Sequence, residues 1–317
     1  MTNVLVTGGA GFIGSHLVRA LLERGDAVRV LDNFSTGRHE YLQGLEQLEI
    51  HQADLRDPSA VAEAVRGVEI IFHLAAFVSV PLSMADPETC FAVNAAGTVG
   101  LLEAARRAGV QKVVLASSTA VYGDTDTFPT GEDTPLSPLS PYAVSKQVNE
   151  LYARLYTQTL GLPVIALRFF NVYGPRQRPD SDYAAAIPIF LGRLLNDLPI
   201  TVFGDGKQTR DFIFVRDVVE ANLLAAASSV AGEAFNICTG REISILDLME
   251  ELSELMLGQS GAGPRVLFEP PRPGDIYRSI GDPEKAAAAF DFRARTPLAD
   301  GLKLTLDWMK TTLPSHA

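Results

Sequence analysis

An α/β fold built on a doubly wound parallel sheet, with a smaller C-terminal substrate-binding domain, is predicted by three features of this chain. An apolar strand runs directly into a glycine turn and a helix at the N-terminus. Strand-like and helix-like runs then alternate through the first half, and proline and glycine punctuation replaces that regularity beyond residue 170.

The first strand is Asn3-Val-Leu-Val-Thr7, and it passes into Gly8-Gly-Ala-Gly-Phe-Ile-Gly14 and a helical stretch reaching Arg24. Gly8, Gly11 and Gly14 fit a GxxGxxG spacing, and Gly9, Gly11 and Gly14 also satisfy GxGxxG. Either register brings bare backbone to a helix N-terminus, where free N–H groups and the helix dipole favour a pyrophosphate. The second strand, Ala27 to Leu31, ends at Asp32. An acid lying roughly 20 residues beyond such a turn accepts hydrogen bonds from a ribose and repels a ribose phosphate, so NAD is expected rather than NADP.

Strands follow at Leu48 to Gln52, Ile70 to Leu74 and Lys112 to Ala116, with helices near Ser59 to Val65 and Pro87 to Ala108. Ser140-Pro141 starts a helix through Leu160 that carries no internal Gly or Pro, and Pro163 to Phe169 reads as the next strand. Beyond it, Gly174-Pro175, Pro179, Pro188, Pro199 and Gly204 interrupt the pattern. The domains are therefore expected at 1–170, binding the dinucleotide, and 171–317, mainly binding substrate. Segments near 211–238 should return to the first domain, because Glu233 to Cys238 again looks like a strand. Gly258 to Pro264 reads as a loop.

The 317 residues suffice for two domains, and the net charge of -11 argues against a nucleic-acid partner. Cys90 and Cys238 lie far apart without metal-type spacing and read as packed thiols in a reducing compartment. The five histidines show no metal-like grouping, so no metal is expected. A start directly on a strand, with no apolar run near the ~18 residues of a membrane span, points to the cytoplasm and away from membranes.

Tyr142 and Lys146 stand at i and i+4 of the helix begun by Pro141, so both can face one ligand. Alone, the pair fits an ordinary amphipathic helix; behind a dinucleotide signature it implies redox chemistry. An ammonium beside a phenol is expected to favour the phenolate, making Tyr142 a candidate general base.

These residues, with Thr7-Gly-Gly-Ala-Gly-Phe-Ile-Gly-Ser15, Asp32-Asn-Phe-Ser-Thr-Gly37, Asp54-Leu55, His73-Leu-Ala-Ala76, Asn94-Ala-Ala-Gly-Thr98 and Ser117-Ser-Thr-Ala-Val-Tyr-Gly123, resemble the extended short-chain dehydrogenase/reductases. Leu167-Arg-Phe-Phe-Asn-Val-Tyr-Gly174, Gly204-Asp-Gly-Lys-Gln-Thr-Arg-Asp211 and Arg272-Pro-Gly-Asp275 extend the resemblance over nearly the whole chain, toward the nucleotide-sugar 4-epimerases on a Rossmann fold. The resemblance implies an NAD site formed by Gly8, Gly11, Phe12, Ile13, Gly14, Asp32, Asn33, Asp54, Leu55, Leu74, Ala75, Ala76, Asn94, Ser117, Tyr142 and Lys146. It implies catalysis by Ser118, Tyr142 and Lys146, with Ser117 as the competitor for the Ser118 role. NAD would take hydride from C4 of a UDP-sugar, and its return to the other face of the rotated 4-keto sugar would invert that carbon.

Related dehydratases and decarboxylases carry an acid two residues after the catalytic hydroxyl; Ala120 stands there and cannot supply it. Val78 replaces a lysine found in some galactose-type members. By the same resemblance, Ser118, Asn171, Thr201, Phe203, Arg210, Arg272 and Asp275 bind the substrate, and a small Ser279 leaves room for an N-acetyl group beside C2. Helices around Phe91 to Ala108 and Ala143 to Leu160 resemble a homodimer interface. A glucuronate-type epimerase and a noncatalytic NAD-binding sensor are the alternatives.

Overall fold

The structure is a computed structural model that describes residues 1–178, 186–260, 265–271 and 276–312. In chain order the first half contains β1 (Asn3–Thr7), α1 (Phe12–Glu23), β2 (Ala27–Asp32), β3 (Glu49–Gln52), α2 (Pro58–Ala64), β4 (Ile70–His73), α3 (Val80–Ala85), α4 (Pro87–Phe91), α5 (Gly97–Ala108), β5 (Lys112–Ser118) and α6 (Pro141–Thr159). The second half contains β6 (Val164–Phe169), β7 (Asn171–Tyr173), α7 (Ala186–Leu195), β8 (Ile200–Phe203), β9 (Thr209–Arg210), β10 (Phe212–Phe214), α8 (Val215–Ala227), β11 (Ala234–Ile237), β12 (Ile243–Ser244), α9 (Ile245–Ser260), β13 (Val266–Glu269), α10 (Glu284–Phe290) and α11 (Leu298–Thr312).

Seven parallel strands form the main sheet in the order β11-β6-β5-β4-β1-β2-β3. Strand alternation divides its side chains between two cores. Val4, Val6, Val30 and Val114 pack with Leu17 and Leu21 of α1 and Val218 of α8, whereas Leu5, Leu31, Val113 and Leu115 pack with Val61, Leu101 and Ala153 of α2, α5 and α6. Helices thus cover both faces. The order reverses at β1, opening a crevice beyond the carboxyl ends of β1 and β4. A third core joins Tyr173 and Phe214 to α7, β8, α9 and α11. Three two-stranded sheets, β7 with β10, β9 with β12 and β8 with β13, complete this part.

Two expectations need correction. The helix expected from Pro87 to Ala108 is interrupted by a π-helical segment at Ala92–Ala96, where the Asn94 side chain is bonded far along the chain to Phe77. The loop expected from Gly258 begins too early, because α9 continues to Ser260; residues 261–264 lie outside the described residues. A glycine near a helix end costs only about 1 kcal/mol. Burial of Leu248, Met249 and Leu252 holds the helix in place.

Candidate active site

The glycine turn is shaped by close backbone approach. Gly8 has φ +71°, and a Cβ there would lie 2.7 Å from Ala75 N; a Cβ on Gly14 would lie 2.1 Å from the Gly8 carbonyl oxygen. Gly11 is the N-cap of α1 and offers the first turn no side-chain hydrogen bond. An anion at this helix end therefore meets backbone N–H groups and no competing side chain. Leu74, Ala75 and Ala76 line the opposite wall, half-buried after β4.

At the end of β2, Asp32 is buried and accepts from Ala10 N–H at 2.9 Å and Phe34 N–H at 2.8 Å. Burial pushes its carboxyl up, and these two bonds oppose the shift. Each oxygen retains a lone pair for a sugar hydroxyl. Asn33 Nδ2 donates to Asp54 at 2.9 Å, and Arg56 grips the same carboxylate, holding it well below the usual range. Leu55 packs against Gly97 of α5. Phe12 and Ile13 begin α1 and lean on the third core.

Ser140 caps α6 by accepting from Ala143 N–H, and Pro141 begins its first turn. Tyr142 and Lys146 consequently share one face, with the Lys146 ammonium 5.7 Å from the phenol ring centre. Lys146 donates to the Ala116 carbonyl at 2.8 Å, and burial lowers its pKa to about 8. Burial raises Tyr142 instead, and a hydrogen bond with Ser118 opposes that rise. The phenol is thus raised where a neighbouring ammonium is expected to lower it, because desolvation outweighs the opposing contact with Ser118. The buried Cys90 thiol neighbours both groups and is itself pushed up by burial.

Strand alternation separates Ser117 from Ser118. Ser117 turns into the α6 side of the sheet, where its hydroxyl donates to Glu150 at 2.5 Å, so its side chain is directed away from Tyr142. Ser118 accepts from Ala120 N–H at 3.2 Å, and its hydroxyl draws the neighbouring Tyr142 phenol down. Of the two serines, only Ser118 presents its hydroxyl to the phenol.

A buried polar chain supports this cluster. Thr98 donates to the Asn94 carbonyl, so it must accept from His73 Nε2, leaving Nδ1 to accept from Thr7. Burial lowers His73 to about 3, keeping the ring neutral. Asn94 then donates to Ser145 at 3.0 Å, and Ser145 donates to the Tyr142 carbonyl at 2.7 Å. The switch point of the sheet is therefore connected to the first turn of α6.

The second half contributes a linked arm. Asn171 donates to the Asp211 carbonyl through both its backbone and its side chain, at 3.0 and 3.4 Å. Arg210 donates to the Thr209 carbonyl at 2.7 Å and makes a further contact. Thr201 and Phe203 lie half-buried on β8, with the Phe203 carbonyl accepting from Gln208 at 2.6 Å. Thr209 N–H donates to the Tyr277 carbonyl, bringing the half-buried Ser279 segment alongside. Arg272 and Asp275 lie outside the described residues.

The NAD dependent epimerase/dehydratase family matches residues 4–238, which span the glycine turn, the Ser118–Tyr142–Lys146 cluster and Asn171. The chain belongs to this family. It is 42% identical over 311 residues to a UDP-glucose 4-epimerase of Mycolicibacterium smegmatis, covering 96% of this chain and 98% of that one. The UDP-glucose 4-epimerase of Thermus thermophilus in complex with NAD is 39% identical with a TM-score of 0.89, covering 98% of this chain and 100% of that one. A UDP-N-acetylglucosamine 4-epimerase of Methanobrevibacter ruminantium, solved with UDP-N-acetylmuramic acid, is 36% identical with a TM-score of 0.94, covering 98% and 99%.

NAD is the family's cofactor, and the residues present suit it: the turn packs too closely for a Cβ at Gly8 or Gly14 and offers backbone N–H groups at the start of α1, and Asp32 suits a ribose without a phosphate. Sequence reasoning assigned no role to Asp211, whose carboxylate accepts from Thr239, Gly240 and Gly281 and so pins the arm of this epimerase/dehydratase. Its only signal was its place at the end of Gly204 to Asp211. Among the described residues, no group of three His, Cys, Asp or Glu could hold a metal, and no helix is long and apolar enough to cross a membrane.

Proposed function

We propose that this protein inverts C4 of a UDP-sugar, interconverting UDP-glucose with UDP-galactose and their N-acetylated counterparts. The placement of Ser118 beside Tyr142 and Lys146 carries this reading, because it offers a path for a proton from a sugar hydroxyl to a phenol. The glycine turn and Asp32 would hold NAD, which when bound would supply reversible hydride acceptance and a positive charge favouring the Tyr142 phenolate. Ser118 passes the O4 proton to Tyr142, and Tyr142 returns it when the carbonyl is reduced. Lys146, fixed by Ala116, holds the nicotinamide ribose. Asn171 and Arg210, with Arg272, hold the diphosphate; Thr201, Phe203 and Asp275 receive the uridine. Ala120 leaves no acid beside Ser118 for the elimination a dehydratase needs. Two of the relatives are named as 4-epimerases of UDP-sugars, which supports this reading.

The division at about residue 170 into cofactor and substrate parts belongs to the same reading, as does a homodimer. Val144, Leu151 and Leu155 form an exposed apolar stripe at i, i+7 and i+11 of α6, and Phe91 is exposed at the end of α4, which packs against α6. The buried, unbridged Cys90 and Cys238 favour a reducing cytoplasm. Proton NMR of purified protein with each of the four UDP-sugars tests the activity. Growth of the C4 epimer is expected; an unchanged spectrum with NAD-loaded protein refutes it.

A further inference from the structure

Three consecutive residues at the end of β5 are tied, one by one, to α6. The Ala116 carbonyl accepts from Lys146 at 2.8 Å, the Ser117 hydroxyl donates to Glu150 at 2.5 Å, and the Ser118 hydroxyl lies beside Tyr142, whose phenol it draws down. Tyr142, Lys146 and Glu150 recur every four residues and so share one helix face. Glu150 takes no part in the chemistry above, yet its carboxylate is only 9% exposed.

Its partner is Arg168 of β6, which stands opposite Ser117 in the sheet register. Arg168 Nε and Nη2 donate to the two Glu150 oxygens at 2.9 and 2.7 Å. Its Nη1 donates to the Tyr122 hydroxyl at 2.8 Å, and the guanidinium lies 4.8 Å from that ring's centre. Tyr122 closes the short 3-10 turn Thr119–Tyr122 that follows Ser118, and its hydroxyl donates to Asn236 of β11. One ion pair therefore grips the chain on both sides of Ser118.

We propose that Glu150 and Arg168 are positioning residues that hold the Ser118 hydroxyl against Tyr142. The pair is planar and bidentate, so it fixes direction as well as distance. Two apolar side chains of the same size could fill the space, but they could not bind Ser117 and Tyr122 together. A buried ion pair is weak evidence for stability, since desolvation offsets its attraction. Other ionisable groups face the pair from neighbouring elements: Lys146, whose charge Glu150 favours, and Tyr122 and Glu132, which both sense Arg168. The catalytic benefit of this geometry rests on the C4 inversion proposed above.

The test compares Glu150→Gln and the double variant Glu150→Met/Arg168→Met with the parent holoenzyme. NAD content, thermal unfolding, kcat and KM on UDP-glucose and UDP-N-acetylglucosamine, and the pH titration of Tyr142 by 13Cζ-tyrosine NMR are measured. The Tyr142 resonance is assigned by its loss in Tyr142→Phe. The double variant removes both charges together and is expected to fold and keep NAD. Its kcat should fall on the order of 10²-fold with little change in KM, the signature of a displaced reacting group. Its Tyr142 titration should move to higher pH as the Ser118 hydroxyl is displaced from the phenol it draws down. Wild-type kcat and an unmoved titration would overturn the proposal. If the double variant does not fold, Glu150→Gln decides by the same two readouts. If the parent epimerises neither sugar, the functional reading fails, and the Tyr142 titration alone decides whether the pair positions Ser118.

Discussion

Replacing Tyr142 with Phe removes one oxygen and leaves the ring in its site. The variant is expected to keep its fold and NAD while kcat drops by roughly 10²–10⁴-fold, the range for general acid–base assistance. Unchanged turnover would remove Tyr142 from the mechanism. Asp32→Ala is expected to weaken NAD binding and narrow the preference over NADP, read by titrating both cofactors into stripped protein. Lys146 makes a prediction about stability. Its folded pKa of about 8 lies below the ordinary 10.5, so between those values the unfolded chain binds the extra proton and native stability rises with pH. The rise attributable to this group is at most about 3 kcal/mol. Lys112, also lowered to about 8 by burial, adds a parallel rise. Lys146→Met should therefore flatten, without abolishing, the increase in urea midpoint from pH 8 to pH 10.

At the level of elements, Gly14→Ala places a methyl 2.1 Å from the Gly8 carbonyl. Gly8 is held by its N–H bond to Leu31 and cannot retreat, so NAD content should collapse while the far-UV spectrum stays native. Legibility in the sequence followed the range of the forces involved. The turn, α1 and α6 were readable because glycine spacing, Ser140-Pro141 and strand alternation act over a few residues. The π segment at Ala92–Ala96 was not, because it depends on Asn94 reaching Phe77 and Ser145. Ser117 and Ser118 remained competitors until the pleat directed one to Glu150 and the other to Tyr142. The Tyr142 shift was misjudged because burial by distant chain segments leaves no local pattern. Asp211 was missed for a similar reason, its partners lying 28 to 70 residues away. The exposed stripe on α6 leads to another element-level prediction: Leu151→Glu with Leu155→Glu should convert a dimer to a monomer by light scattering, and a monomeric parent would refute the interface.

For the molecule as a whole, seven parallel strands bring the glycine turn and the Ser118–Tyr142–Lys146 cluster to one end of the sheet, and the second half adds an arm anchored by Asp211. Ser279, on that arm, is expected to set sugar breadth. Ser279→Tyr should depress turnover of the N-acetylated pair far more than that of UDP-glucose and UDP-galactose; an equal fall in both pairs would contradict the assignment. Inversion at C4 by removal and return of one hydride keeps the migrating hydrogen on the sugar. It is tested most directly by incubating the holoenzyme with UDP-glucose and UDP-N-acetylglucosamine carrying deuterium at C4 and following the products by NMR. The expected result is the C4 epimer with deuterium still at C4. Deuterium at C6 of a 4-keto-6-deoxy sugar, exchange with solvent, or no product from either substrate would contradict it.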